Sequence, residues 1–345
     1  MIFAILAAAL FGISTPLAKL LLGSVEPVLL AGLLYVGSGT GLSVVYAVRR
    51  SRRSAPSGSP LQGTDVRWLA GAIVLGGVLG PVLLMLGLTA TPASAAALLL
   101  NLEGLFTALL AWFVFHENFD RRIAVGMALI LAGGCVLSWP AGEHAGLPLG
   151  SLLVGAACFC WGVDNNLTQR VSAGDPILIA ALKGLVAGSV NLLVAGCLGA
   201  KVPSAAIGAA ALGVGFVGYG VSLVLFVLAL RHLGTARTGA YFSLAPFLGA
   251  AVALLLLREP LGPTFVLAAV LMGVGVWLHL TERHDHQHEH EALEHSHRHV
   301  HDEHHRHHHE AEVDLTRPHT HWHAHAPLKH RHPHYPDIHH RHRHS

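Results

Sequence analysis

Charge is what this sequence has least of. Asp, Glu, Lys and Arg together make up 12% of the 345 residues, about half the 25% share of an ordinary soluble domain. Residues 1–283 carry 15 Lys/Arg against 10 Asp/Glu, a net +5, and the remainder carries 7 against 10, a net −3 with neutral histidine. Neither part is basic enough to point to nucleic acid. Cysteine is scarce too: Cys135, Cys158, Cys160 and Cys197 lie in apolar runs without CxxC spacing, which speaks against a disulfide framework or a cysteine zinc site. They read as small packing residues. There is no GxxxxGK[ST] loop and no HExxH pair, so ATP drive within this chain and zincin-type proteolysis lack support. No feature suggests catalysis, and the chain is expected not to be an enzyme. Met1 runs into an apolar stretch without a basic n-region, so the expectation there is a first span and not a cleavable signal.

What is present falls into two unlike parts. The chain is 52% hydrophobic with a mean hydropathy of +0.53, yet the stretch His284 to Ser345 is almost wholly polar and holds 24 of the 28 histidines. The body before it reads as membrane. A bilayer core takes about 20 apolar residues per helix, and such segments fall at roughly 2–22, 27–48, 68–88, 93–115, 122–140, 148–169, 176–198, 205–230, 236–257 and 263–281. These predict ten spans. With the N-terminus inside, Arg49, Arg50, Arg52, Arg53, Arg67, Arg121, Arg122, Arg170, Arg231, Arg237 and Arg283 collect on the cytoplasmic side. Lys19, Lys201 and Arg258 collect on the outer side. That asymmetry sets the expected orientation, with both termini cytoplasmic and the chain multi-pass in a cell inner membrane.

The body also repeats itself. "FGISTPLAK" at 11–19 echoes "WGVDNNLTQ" at 161–169, an offset of 150. "LTATPASAAALLLNLEGLFTALLAWFVFHEN" at 88–118 echoes "LRHLGTARTGAYFSLAPFLGAAVALLLLREP" at 230–260, an offset of 142 that matches Glu117 to Glu259. Five spans per half put the second half upside down relative to the first, the inverted-repeat plan of secondary transporters, whose substrate sites lie near the midplane between the halves.

These segments, together with "GMALILAGG" and "AAVLMGVGVWL", resemble EamA-type transporters of the drug/metabolite transporter superfamily over about residues 1–282. In that family each half has a small-residue-rich helix, often with a Pro, then a helix-terminal Glu and a Gly-rich final helix. The second half fits, with Pro246, Glu259 and Gly273 to Gly275; the first half has Gly104 at the Pro position, preceded by Glu103. The resemblance implies an all-α polytopic membrane protein of ten transmembrane helices. Residues 1–140 form one five-helix repeat and 141–282 the other; 283–345 form a disordered cytoplasmic tail rich in histidine. It also implies movement of a small metabolite by alternating access without ATP. The expected partners are a small-molecule substrate, the lipid bilayer and metal ions at the tail, with a homodimer as an open alternative.

Charges inside a span cost about 2.5–3.5 kcal/mol each on insertion scales, so each asks for a reason. Glu103 lies about nine residues into its span, roughly 14 Å deep, and Lys183 about seven residues into its own, roughly 11 Å. The two are expected to meet between the halves, with Glu103 binding a cation or proton and Lys183 as its counter-charge or an anion anchor. A structural ion pair is the plainer alternative. Asp164, Asn165 and Asn166 are consecutive on one span and spread over about 200° of helix. They cannot all face lipid, because each unsatisfied group costs several kcal/mol. Asn101 and Asn191 are further substrate or coupling-ion candidates. Tyr219, Tyr241 and Ser243 offer hydroxyls, and Trp161 a pocket wall or a packing group. Glu117 and Glu259 at span ends are expected to cap the helices that follow, with a gating salt bridge as the sharper alternative. The glycine runs at 37–41, 184–188 and 213–220 allow close helix approach.

In the tail, H-x-H steps put every second side chain on one side of an extended strand, so that several can converge on one ion. The candidate ligands are His297, His299, His301, His304, His305, His307, His308, His309, His319, His321, His323 and His325. Neutral imidazole suits zinc, nickel, cobalt or copper; no cofactor is otherwise required. With few apolar residues the tail is expected to stay disordered without metal. A charge brush of imidazoles titrating near pH 6.5 is the plainer reading. Three functions follow: a metabolite transporter with a metal-binding tail, a transporter of a transition metal or its chelate, or a membrane-tethered metal store or sensor. The last needs one span, not ten. His116, His144, His232 and His279 lie near span ends, which argues against a metal path through the bilayer.

Overall fold

The computed structural model describes residues 1–52, 63–115, 121–138, 148–171, 174–229 and 241–281, and in the tail 285–290, 293–299, 319–325 and 328–333. Met1–Glu282 and Arg283–Ser345 are separate units.

The first unit is helical because its apolar runs have no other way to satisfy their backbone away from water. Helix α1 is Ile2–Leu21, α2 Pro27–Arg52, and α3 Gly63–Ala72. A π-helical stretch, Ile73–Leu79, joins α3 to α4, Gly80–Ala90. Helices α5, Ala93–Leu99, and α6, Asn101–Phe115, meet at a break. Then follow α7 (Arg121–Ser138), α8 (Leu149–Val171), α9 (Pro176–Cys197) and α10 (Ala205–Val214). A second π-helical stretch, Gly215–Val221, leads into α11 over 222–229, and α12 (Ala245–Leu257) and α13 (Pro263–Leu280) close the unit.

Local chemistry sets the boundaries. Asp175 opens α9 by accepting from the Ile177 and Leu178 amides, with Pro176 in the first turn, where its missing N–H costs nothing. Ser204 opens α10 in the same way through Ile207 N. The break between α5 and α6 is a tightened turn: Leu100 N–H is shared between the Ala96 and Ala97 carbonyls, and Glu103 N–H reaches only to Leu100 O at 3.0 Å. The Asn101 amide occupies the Leu98 carbonyl at 2.9 Å, an asparagine competing with the helix ladder.

Among the described residues, six helices are long and apolar enough to cross a membrane: Ile2–Leu21, Pro27–Ser51, Asp65–Ala90, Ala93–Leu110, Pro176–Cys197 and Ala205–Ala229. Ala124–Ser138, Ala245–Leu257 and Pro263–Leu278 are shorter apolar helices. Helix α8 is long enough but too polar to join the six, because it carries Asp164, Asn165, Asn166 and Arg170. The outer surface is apolar where a soluble protein would be wet, with Leu255 81% and Leu193 70% exposed.

Packing runs between the halves of the sequence. Helix α2 lies along α9, α7 along α13, α1 along α12, and α8 along both α4 and α6. The α2–α9 crossing is backbone on backbone: a Cβ on Gly184 would stand 2.5 Å from Gly39 N. Close approach through the glycine runs is therefore observed. The two π-helical stretches start at 73 and 215, an offset of 142, the same offset as the longer sequence repeat.

The described backbone of the tail is extended, with Asp285–His290 pairing antiparallel to Leu328–Pro333 and Leu293–His299 pairing antiparallel to His319–His325. A strictly alternating H-x-H sequence has the two-residue period of a strand.

Candidate functional site

Helix α8 presents Asp164 to α9 and both Asn165 and Asn166 to α6. Asp164, 7% exposed, faces α9. Lys183 Nζ donates to Asp164 Oδ1 at 2.6 Å and Oδ2 at 2.8 Å, and to Thr168 Oγ1 at 3.1 Å. Thr168 in turn donates to Asp164 Oδ1 at 2.8 Å. The pair is thus fully hydrogen-bonded, the condition under which a buried ion pair survives its desolvation.

Asn165 turns to α6. Its amide donates to Glu103 Oε1 at 2.9 Å and to Thr107 Oγ1 at 3.2 Å. Thr107 donates to the Glu103 carbonyl at 2.8 Å, which holds the two side chains one turn apart. Asn166 is buried against the same helix, donating to Gly162 O at 2.8 Å and Thr107 O at 3.4 Å. Glu103 is half-buried and Asn165 exposed, so this end of the cluster is open where the Asp164–Lys183 end is closed.

The expected meeting of Glu103 with Lys183 does not occur. Depth matched them, but helix rotation decides partners: Asp164 on α8 faces Lys183 on α9, while Glu103 on α6 meets another face of α8 through Asn165. With Lys183 neutralised by Asp164, Glu103 is left as the unbalanced charge of the cluster.

The first π-helical stretch makes room for this arrangement. A Cβ on Gly76 would collide with the Asp164 carboxylate. The local misfit of the helix also frees carbonyls: Gly76 O accepts from Tyr35 Oη at 2.8 Å and Trp161 Nε1 at 2.9 Å, and Gly77 O accepts from Asn191 Nδ2 at 3.2 Å. Asn191 is fully buried, so its amide serves backbone, as does that of Asn101, which also touches Met272 Sδ at 3.9 Å. Trp161 belongs to an aromatic group in which Phe11 contacts Trp161, Tyr219 and Phe242 at centroid distances of 6.3, 5.9 and 5.5 Å. Tyr35 joins it through Tyr219 at 5.6 Å.

Glu259 is not in this cluster, and its role differs from the one expected. Its Oε1 accepts from Ala93 N at 2.7 Å and its Oε2 from Ser94 N at 2.9 Å. It therefore caps α5, in the other half of the sequence, and not the helix that follows it. Pro263 already removes one orphan donor from the start of α13, and Arg258, in the left-handed region at φ 52, turns the chain back. Glu117 lies outside the described residues, as do His301, His304, His305, His307, His308 and His309. The ladder register sets His297 opposite His321 and His299 opposite His319, with His295 opposite His323 and Leu293 opposite His325.

Sequence reasoning passed over Thr107 and Thr168. Each follows a charged residue by four positions, Glu103 and Asp164, the spacing that stacks side chains on one helix face. It also passed over Tyr35, whose partner is a carbonyl that no sequence pattern exposes.

Comparison with known proteins matches this architecture. The EamA-like transporter family model matches twice, over residues 1–139 and 148–281. An "Uncharacterized transporter" of Methanothermobacter thermautotrophicus is 31% identical over 289 residues, covering 79% of this chain and 84% of that one. A "Probable amino-acid metabolite efflux pump" of Escherichia coli is 27% identical over 209 residues, covering 55% and 68%. A crystal structure superposes with a TM-score of 0.60 at 19% identity, covering 80% of this chain and 94% of that one, a likeness of fold alone. The expectation of a transporter and not an enzyme is met, as is the expectation of a multi-pass membrane protein. The chain belongs to the EamA-like transporter family.

Proposed function

We propose that this protein is a secondary transporter that moves a small metabolite across the inner membrane by alternating access, with Glu103 as the group that cargo or a coupling proton neutralises. The observation that carries this reading is the half-open carboxylate of Glu103, held on one side by Asn165 and left as the net charge of a polar cluster. Intramembrane carboxylates without a fixed counter-charge are costly and mark ion or substrate paths. The cluster draws α6 from the first half and α8 and α9 from the second, which is where inverted repeats build a site.

The reading takes the body as ten spans in two inverted five-helix repeats, residues 1–140 and 141–282, with both termini cytoplasmic. The double match of the family model, the shared offset of 142 and the pairing of helices across the halves support it. The tail, 283–345, binds a divalent transition metal such as zinc, nickel, cobalt or copper through its histidines. Histidine set opposite histidine in the ladder supports that part.

One observation favours a second reading, transport of the metal or its chelate: the density of histidine attached to a transporter body. Against a bare-metal path, the described residues hold no group of three or more His, Cys, Asp or Glu placed to bind an ion. The test compares cells expressing wild type, Glu103→Gln and residues 1–283. Mass spectrometry of cells and medium follows small organic molecules together with nickel, cobalt, zinc and copper. A metabolite shift that needs Glu103 and not the tail supports the first reading. A metal shift that needs Glu103 supports the second, and no shift in any chain rejects Glu103 as the site.

A further inference from the structure

An alternating-access protein must shut one end while the other is open, and two charged side chains tie one end of this bundle. Lys19, in the last turn of α1, donates to the carbonyls of Leu88 and of Thr91, the latter at 3.0 Å. Glu259, just past α12, accepts from the amides of Ala93 and Ser94 at 2.7 and 2.9 Å. All four partners are backbone groups at the junction of α4 and α5: Leu88 in the last turn of α4, Thr91 in the link, and Ala93 and Ser94 in the first turn of α5. The cation takes the carbonyl end of α4 and the anion takes the amide end of α5, each the sign that its helix terminus favours. The two opposite charges also attract each other through space.

An ordinary helix cap comes from a residue beside the helix it caps. These arrive from 69 to 166 residues away, one from each half of the sequence. Helices α1 and α12, which deliver them, are themselves locked backbone to backbone, because a Cβ on Gly249 would stand 2.6 Å from Gly12 O. The left-handed conformation of Arg258 is unfavourable for a residue with a Cβ and aims Glu259 at the turn; such conformers persist where surrounding contacts hold them.

We propose that Lys19 and Glu259 are gate residues: together they latch the α4–α5 turn to the α1–α12 pair and keep this end of the pathway closed, and their release opens it. The proposal rests on the transporter reading above. It commits to these side chains as the closing contacts, with cargo and coupling left to the Glu103 cluster.

The test reads accessibility and needs no cargo, so its failure is distinct from failure of the Glu103 reading. In the full chain with its four cysteines replaced by serine, a reporter Thr15→Cys is introduced. Thr15 is one turn below Lys19 and 1% exposed. A separate Ser24→Cys chain, at an exposed position in the turn after α1, identifies the latch side. A membrane-impermeant maleimide is applied to right-side-out and inverted vesicles. Lys19→Met and Glu259→Gln are each expected to raise the labelling rate of Thr15→Cys from the latch side by about tenfold, the factor for about 1.4 kcal/mol of lost closing free energy. Labelling from the opposite side stays unchanged, and Lys19→Arg, which keeps the charge, stays near the unmodified rate. An unchanged rate from the latch side overturns the proposal, and so does an equal rise from both sides, which would mean a loosened fold. If Glu259→Gln fails to insert, Lys19→Met against Lys19→Arg carries the same decision.

Discussion

Lys183 and Asp164 close on each other at 2.6 and 2.8 Å between α9 and α8, each 7% exposed, with Thr168 bonded to both. The closure removes a positive and a negative charge together from the polar cluster, which is why Glu103 decides its net charge. Removing one partner of such a pair strands the other, at about 3–5 kcal/mol, whereas replacing both with apolar groups of similar volume is often close to neutral. Lys183→Met and Asp164→Leu are each expected to lower the folded yield and the apparent Tm in detergent, and the double variant to recover most of the loss. Thermal unfolding of the four chains measures this. A double variant that loses the sum of the two singles would show that the residues do not act as a pair.

Glu103→Gln keeps an acceptor for the Asn165 amide and removes the charge. The variant is therefore expected to insert and fold like the parent while transport, once a cargo is in hand, loses its dependence on an imposed pH gradient. Proteoliposomes loaded with cargo, with and without the gradient, give the measurement. Asn165→Ala leaves the carboxylate in place without its fixed partner. It is expected to weaken cargo affinity more than it changes the gradient dependence. Wild-type gradient dependence in Glu103→Gln would exclude Glu103 as the coupling group.

How far the sequence reached is clearest at these same residues. Depth along a span follows from counting at 1.5 Å per residue, so Glu103 and Lys183 were both legible as charges deep within spans. Rotation about each helix axis was not, because it is set by which faces pack. Hence the pairing of Lys183 with Asp164 in place of Glu103. Repeats and glycine runs were legible as patterns, and the close crossings they allow are there. The π-helical stretches were hidden, since Ile73–Leu79 and Gly215–Val221 look like any other apolar, glycine-bearing helix segments. Glu259 shows a third limit. A helix-end carboxylate signals a cap, but only the fold tells which helix end comes within its reach.

Two glycines separate packing from mere position. Gly76 leaves no space for a Cβ, because the Asp164 carboxylate occupies it, whereas nothing lies within 4 Å of a Cβ on Gly104. Overpacking a filled site costs about 1–3 kcal/mol. Gly76→Ala is expected to lower apparent Tm and to disturb the Asp164–Lys183 pair. Gly104→Ala is expected to leave stability within about 0.5 kcal/mol, or to raise it slightly through helix propensity. Equal losses in the two would mean that the π-helical stretch is not what admits Asp164.

The tail offers a prediction that separates metal binding from transport. Its 24 histidines need be neutral to ligate, so binding should weaken as pH falls through about 6.5, the ordinary imidazole value. The sign follows from competition: protons and metal seek the same nitrogen. Purified full chain is expected to hold zinc or nickel against a weak chelator at pH 7.5 and to release most of it by pH 5.5, while residues 1–283 hold little at either pH. Equilibrium dialysis with elemental analysis reads both. Stripping the metal from the full chain is expected to leave transport of an organic cargo intact if the tail is a buffer. If stripping abolishes transport, and residues 1–283 are equally inactive, the tail supplies the cargo, and the reading with metal or its chelate as the transported species takes precedence.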